Sequence, residues 1–211
     1  MKMTFFLFSL IILISCSSNN LNDKVESLNS VQTGSSKSVQ LPDTTKWIDN
    51  FKKFRDAVYQ ADKAKTKEYI DFKSLNKTNR IWELIYLDNE SGFDKITASE
   101  IKPFTEKDYE KYFDKIFSKQ FIRCIQKIKT EELSKTGTYQ TIEFKEGKAI
   151  TYLMSATYDK TGNTLKLDLA SNTIRKDADG EILDGGECSI MYFFSITNNG
   201  QIQLAGIGLA G

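Results

Sequence analysis

Cys188-Ser-Ile-Met-Tyr-Phe-Phe-Ser-Ile196 is followed by Thr197-Asn198-Asn199-Gly200 and then by Gln201-Ile-Gln-Leu-Ala-Gly-Ile-Gly-Leu209. In the first run Ile190, Tyr192 and Phe194 fall on one face of a strand, and Met191 and Phe193 on the other. Apolar residues on both faces predict a central strand covered on each side. Asn-Asn-Gly tolerates positive φ and predicts a hairpin. The second run then closes an antiparallel sheet. Gly206 and Gly208 within it predict sharp curvature or a close backbone approach.

The same two-residue period extends upstream. Gln140, Ile142 and Phe144 alternate with polar neighbours, Glu146-Gly147 turns into Ala149 to Tyr158, and Thr161-Gly162-Asn163 turns into Thr164 to Ala170. Leu165, Leu167 and Leu169 alternate with Lys166 and Asp168. About five strands are expected. Before Thr138 the period is helical. Trp47, Phe51, Phe54, Val58 and Ala61 recur at steps of four and three behind a cap at Asp43 or Thr44. Glu68 to Leu75 predicts a short helix, Arg80 to Leu87 fits helix or strand, and Asn89 to Phe93 reads as a loop. Thr105 and Asp108 form an approximate capping box. It opens a face of Tyr109, Tyr112, Phe113, Ile116 and Phe117, continued by Phe121, Cys124, Ile125 and Ile128. Phe113, at the centre of that face, is expected to anchor helix to sheet. Ser118 either caps a separate helix or is passed through. Helices first and strands afterwards define an α+β chain.

Lys107, Lys111, Lys115, Lys119, Arg123 and Lys127 recur every fourth residue, interleaved with Glu106, Asp108, Glu110 and Asp114. A solvated face laced by i,i+3 pairs is the plain reading. Contact with anionic lipid or an acidic partner is the alternative.

The N-terminus carries an address. Lys2 precedes Phe5 to Ile14, a run apolar except for Ser9. Ten residues are too few for a membrane span, which needs about 20, and fit the apolar core of a secretion signal. Leu13-Ile14-Ser15-Cys16 resembles the lipobox of bacterial lipoproteins, which implies cleavage before Cys16 and lipid attached to it. Residues 1–15 are therefore read as signal peptide, 16–41 as lipidated cysteine and flexible tether, and 42–211 as one domain. Ser17 to Gln40 is rich in Ser and Asn, as a linker is, although Val25, Leu28 and Val31 would allow a short docking helix. Ser17-Ser18-Asn19-Asn20 lacks both an Asp after the cysteine and an acidic cluster. In a cell with two membranes this points to the outer membrane, facing the periplasm, with the cell surface as the other address.

Composition excludes more than it assigns. Of 29 basic residues only Lys2 lies in residues 1–15, so the remainder carries 28 basic against 28 acidic residues. That balance argues against nucleic acid as a partner. With no His in the chain, Ser-His-Asp and Cys-His triads and the commonest zinc ligand are excluded. No metal or cofactor is expected. Asp177-Ala-Asp179-Gly180-Glu181 has a calcium-loop look, but its register puts Arg175 and Gly186 at ligand positions, so it reads as an exposed turn. Cys124 and Cys188 could pair in an exported protein, or stay as free thiols on apolar faces.

The Trp47–Val58 stripe, Phe104-Thr105 with Tyr109–Phe117, and the closing Tyr192-Phe193-Phe194…Asn-Asn-Gly…Ala205-Gly206 hairpin together resemble the cone-shaped fold of nuclear transport factor two and ketosteroid isomerase. The resemblance covers about residues 43–211. It implies helices on a curved, mainly antiparallel sheet. Helices on a plain β-meander are the alternative. The second apolar face of the Cys188–Ile196 strand needs a cover, and the Trp47–Val58 helix laid across a curved sheet would leave an apolar pocket on the concave face for a small apolar or amphipathic molecule, with Tyr152, Tyr158 and Tyr192 as the polar residue types to orient it. Isomerases of that fold pair a carboxylate with a tyrosine, for which Asp168, Tyr152 and Tyr192 are the right types. A surface Asp and core Tyr are the plainer reading. The expected function is a non-enzymatic, lipid-anchored binding protein of the cell envelope. A cone-fold hydrolase or isomerase, or an inhibitor or immunity-type protein acting on a protein partner, are the rivals.

Overall fold

Seven helices and eight strands are present among the residues that the computed structural model describes, which are 46–87, 102–147, 149–173, 175–176, 182–183 and 186–211. All of them fall within one compact unit, Gln40–Gly211. The signal run, Cys16, the tether, the Asp43/Thr44 cap, the Asn89–Phe93 loop and the Asp177–Glu181 turn lie outside the described residues.

The first helix, α1 (Lys46–Tyr59), buries Trp47, Phe51, Phe54, Ala57 and Val58 as one stripe. Ala61, the last member of the expected stripe, lies beyond the helix at φ 51 and is exposed. The predicted helix over 68–75 is helical only in its second half, α3 (Phe72–Leu75), and a separate short piece, α2 (Lys63–Lys67), lies ahead of it. The side chains of Asp62 and Asp71 cap them by accepting from the N–H groups of Lys65 and Ser74. Between the pieces Ile70 bridges to Leu204. The ambiguous stretch is helix α4 (Arg80–Tyr86). Thr105 and Asp108 form the reciprocal capping box that starts α5 (Glu106–Ile116). Ser118 caps α6 (Lys119–Ile125), so the helix does not run through. A further helix, α7 (Thr130–Thr136), ends on Gly137 at φ 79.

The strands are β1 (Thr138–Gln140), β2 (Phe144–Glu146), β3 (Ile150–Asp159), β4 (Thr164–Thr173), β5 (Arg175–Lys176), β6 (Ile182–Leu183), β7 (Glu187–Ile196) and β8 (Ile202–Ala210). The main sheet has six strands in the order β1-β3-β4-β7-β8, with β2 also on β3. The short β5 and β6 pair with each other. Every pairing is antiparallel. The expected strand over 140–144 is broken because Thr141 turns in: its N–H donates to the Met154 carbonyl and its Oγ1 accepts from the Met154 N–H. Ile142 is left 78% exposed.

The four long strands β3, β4, β7 and β8 lie side by side in chain order, with only the short β5–β6 pair intervening, and the sheet is an open meander and not a curled cone. The α+β order is as expected, and the curved cone is corrected to the meander. Of the two readings offered for the β8 glycines, Gly208 fits close approach: a Cβ there would come within 3.1 Å of both Met191 and Phe193 side-chain atoms, whereas at Gly206 it would meet Phe193 at an ordinary 3.7 Å. A bulge shifts the β7–β8 register between Phe193 and Phe194.

Helices cover one face of this sheet. The core joins Phe51 and Phe54 of α1 and Phe113, Phe117 and Phe121 around α5 and α6 to Leu165, Leu167, Tyr192, Phe194 and Leu204 from the strands. Phe113 has no exposure. It meets Tyr109 and Phe117 edge-on at 5.7 and 5.3 Å. No described helix is long and apolar enough to cross a membrane.

Candidate functional site

The expected pocket beneath α1 is filled. Tyr192 is fully buried, and its hydroxyl donates to the Ile116 carbonyl at 2.7 Å. Its ring lies 4.3 Å from Phe121 and 6.4 Å from Phe117. Burial pushes its phenol well above the ordinary value of 10.0, so the hydroxyl stays a neutral donor. Tyr158 packs its ring on Trp47 at 4.5 Å, and its phenol is also raised by burial. Tyr152 alone of the three lies at a rim, stacked on Phe144 at 5.5 Å. The three tyrosines therefore do not converge on one cavity. They serve packing, the plainer of the two readings.

The acid–tyrosine pair also fails geometrically. Asp168 stands opposite Met191, and Leu167 opposite Tyr192. Adjacent strand residues point to opposite faces, so the sheet lies between the carboxylate and the buried phenol. Asp168 accepts a short hydrogen bond from Ser189 Oγ, and Lys166 Nζ lies 3.6 Å from its other oxygen. This is a charge-balanced cluster on an open surface. Among the described residues no three His, Cys, Asp or Glu side chains group as metal ligands would.

Cys124 and Cys188 are free thiols, so the pairing left open above is not formed. Cys124 points into the core from α6, and burial pushes its thiol up to about 11. Cys188 is half-buried in a hollow of about 350 Å³ that Tyr152, Leu153, Ala170 and Ser189 also line.

What remains is the sheet face turned away from the helices. Its register sets three rows across β3, β4, β7 and β8. They are Leu153–Ala170–Ser189–Ala210, Ser155–Asp168–Met191–Gly208 and Thr157–Lys166–Phe193–Gly206. Not one of these twelve residues is buried. Phe193 is 40% exposed. The expectation that β7 is covered on both sides is thus corrected. The strand is central, but its second face stands open among the described residues. With strands about 4.8 Å apart and alternate residues about 6.8 Å apart, the rows span roughly 400 Å². Within that footprint Leu153, Ala170, Met191 and Phe193 are set among Ser, Thr, Lys and Asp side chains. Sequence reasoning placed Met191 and Phe193 on this face but assigned them to a second core layer. Alternation alone cannot distinguish a missing cover from a present one.

Comparison with protein-family models, with curated proteins and with solved structures finds no match. The likeness to a bacterial lipoprotein carrying a cone-shaped domain therefore has no family behind it, and the open meander overturns its cone-fold half.

Proposed function

We propose that this protein is a non-enzymatic binding module, exported and held at a membrane by lipid on Cys16. In a cell with two membranes it would stand at the outer membrane, facing the periplasm. The partner is a protein, and it seats on the open sheet face. The observation that carries this reading is the contrast between the two faces. Among the described residues the helix-covered face is packed with aromatic rings, and Tyr192 and Tyr158 fill the space expected beneath α1. The open face presents Leu153, Ala170, Met191 and Phe193 beside Lys166 and Asp168. An extended surface of mixed apolar and charged groups, with the Cys188 hollow confined to its Leu153–Ala170–Ser189 edge, suits another protein. A catalytic reading gains no support from Asp168 and Tyr192, because the sheet separates them.

A photo-crosslinking residue placed at position 193 of the full chain, in its own cells, tests the partner. One discrete protein adduct is expected from position 193 and none from position 142, which is exposed elsewhere on the domain. The same adducts from both positions, or none from 193, would refute the partner surface. Cys16→Ala should move the chain from the membrane to the soluble fraction. Retention at the membrane with cleavage intact would refute the anchor.

A further inference from the structure

Of the six regularly spaced cations in residues 107–127, the structure brings three together. Lys119, Arg123 and Lys127, with Tyr59 from the end of α1 and Ile122 and Gln126, line a shallow hollow of about 350 Å³. Ser118 starts a new helix, so the row divides here: Lys119 and Arg123 stand on α6, and Lys127 follows in the turn after its C-cap Gln126. Tyr59 is 67% exposed, the most exposed large aromatic residue described, and Ile122 is half-buried beside it.

The three cations are exposed, and no carboxylate lies within ion-pair distance of them among the described residues. Lys52, Lys65, Lys67, Lys102 and Lys129 each have one. Arg123 is held by the Phe144 ring, 4.1 Å from its centroid, and Gln120 turns aside to Glu146. No carboxylate lines the hollow. An apolar floor, an exposed tyrosine and a rim of unpaired cations complement a surface with anionic headgroups over hydrocarbon.

We infer that this side of the domain docks on an anionic phospholipid bilayer, with Lys119, Arg123 and Lys127 at the headgroups and Tyr59 and Ile122 in the interface. The contact is separate from the lipid anchor and does not require it. It orients the domain, because α6 packs on the helix-covered side of β3 through Phe121, Cys124 and Ile125. With that side on the membrane, the open sheet rows face away from it.

The chain from Ser17 onward carries every described element and lacks Cys16, so its vesicle binding reports on this face and not on the anchor. Co-sedimentation is measured with vesicles of phosphatidylglycerol and phosphatidylcholine in equal parts, and with phosphatidylcholine alone, at low and high salt. Binding to the mixed vesicles that weakens with salt is expected. Lys119→Gln, Arg123→Gln and Lys127→Gln together should lower the affinity about a hundredfold, each basic side chain near an anionic surface contributing about fivefold. Tyr59→Ser with Ile122→Ser should weaken binding at both salt concentrations. All five positions are exposed or half-buried, and unchanged thermal melting checks the fold. Lys77→Gln, Lys135→Gln and Lys160→Gln remove the same charge elsewhere and should leave binding near the parent value. Equal loss in both triple variants, no loss in the Tyr59/Ile122 variant, or no preference for phosphatidylglycerol would each overturn the inference. A failed Cys16→Ala fractionation would refute the anchor and leave this contact standing.

Discussion

Replacing Tyr192 with Phe removes one oxygen and no ring. The oxygen donates to the carbonyl of Ile116, the last residue of α5. A helix leaves its final carbonyls without intrahelical partners, and Phe117 at φ −113 has already turned away. The tyrosine hydroxyl therefore serves an acceptor that burial closes to water. The contacts to Phe121 and Phe117 persist in the variant, so the change isolates the hydrogen bond. A neutral bond of this kind contributes about 1 kcal/mol net, and stranding its buried partner raises the loss to about 1–3 kcal/mol. For a domain of this size that lowers Tm by about 3–9 °C. Urea unfolding of the chain from Ser17 should show this loss with an unchanged m-value. A change below about 0.5 kcal/mol would mean that water reaches the Ile116 carbonyl. The covered face would then hold space for a small ligand, against the reasoning that assigns binding to the other face.

Gly200→Ala should cost more than about 1 kcal/mol by thermal or urea unfolding. Its φ is +80 and a Cβ there would lie 2.5 Å from the Lys46 Cβ and 2.9 Å from the Trp47 nitrogen, so a neutral result would refute the seating of the β7–β8 turn on the start of α1. In the chain from Ser17, a thiol reagent should modify Cys188 in the folded state and Cys124 only on unfolding; two fast thiols, or none, would contradict their placement. Burial raises the Cys124 thiol from its ordinary 9.0 to about 11. The unfolded chain thus gives up this proton first as pH rises. The stability held by the neutral thiol is complete below pH 9 and is lost towards pH 11. Cys124→Ala should flatten the pH dependence across that window, and an unchanged slope would show the thiol to be solvated.

The elements most legible in the sequence were those whose residues carry a local reason for their conformation. Thr105 with Asp108, Ser118 and Asn198-Asn199-Gly200 each specify an end or a turn through their own hydrogen bonds or permitted φ. The capping box and the Asn-Asn-Gly turn stand where they were expected, and at Ser118 the cap is the one of the two open readings that forms. The first half of the stretch 68–75 is not helix, because Ile70 and Asp71 meet Leu204, which lies more than a hundred residues away. No local pattern encodes that bridge. Helix α7 was missed because only Thr130 and Leu133 of its seven residues are buried, too few to show a period. The cone failed for a different reason. Glycines permit either curvature or close approach, and their sequence pattern is the same for both; at Gly208 it is the Met191 and Phe193 side chains that take the space a Cβ would fill. The candidate tyrosines could be sorted only once the register was known.

Register also determines how two contacts can coexist on so small a domain. Leu165, Leu167 and Leu169 point to the helices, so Lys166, Asp168 and Ala170 point away from them. Everything that α5 and α6 cover is thereby hidden from the open face, and nothing on the open face can take part in the packing of α6. Lys119 and Arg123 belong to the covered side by their helix, with Lys127 in the turn that follows it, and Met191 and Phe193 to the other side by their parity in β7. A one-residue slip of β7 against β4 would exchange Phe193 for Tyr192 at the surface and leave a hydroxyl-bearing ring where an apolar one now stands. The bond from Tyr192 to Ile116 opposes that slip, because it ties the inward parity of β7 to the end of α5. The same hydroxyl that closes the covered face to ligands therefore keeps Phe193 on the face proposed for the partner.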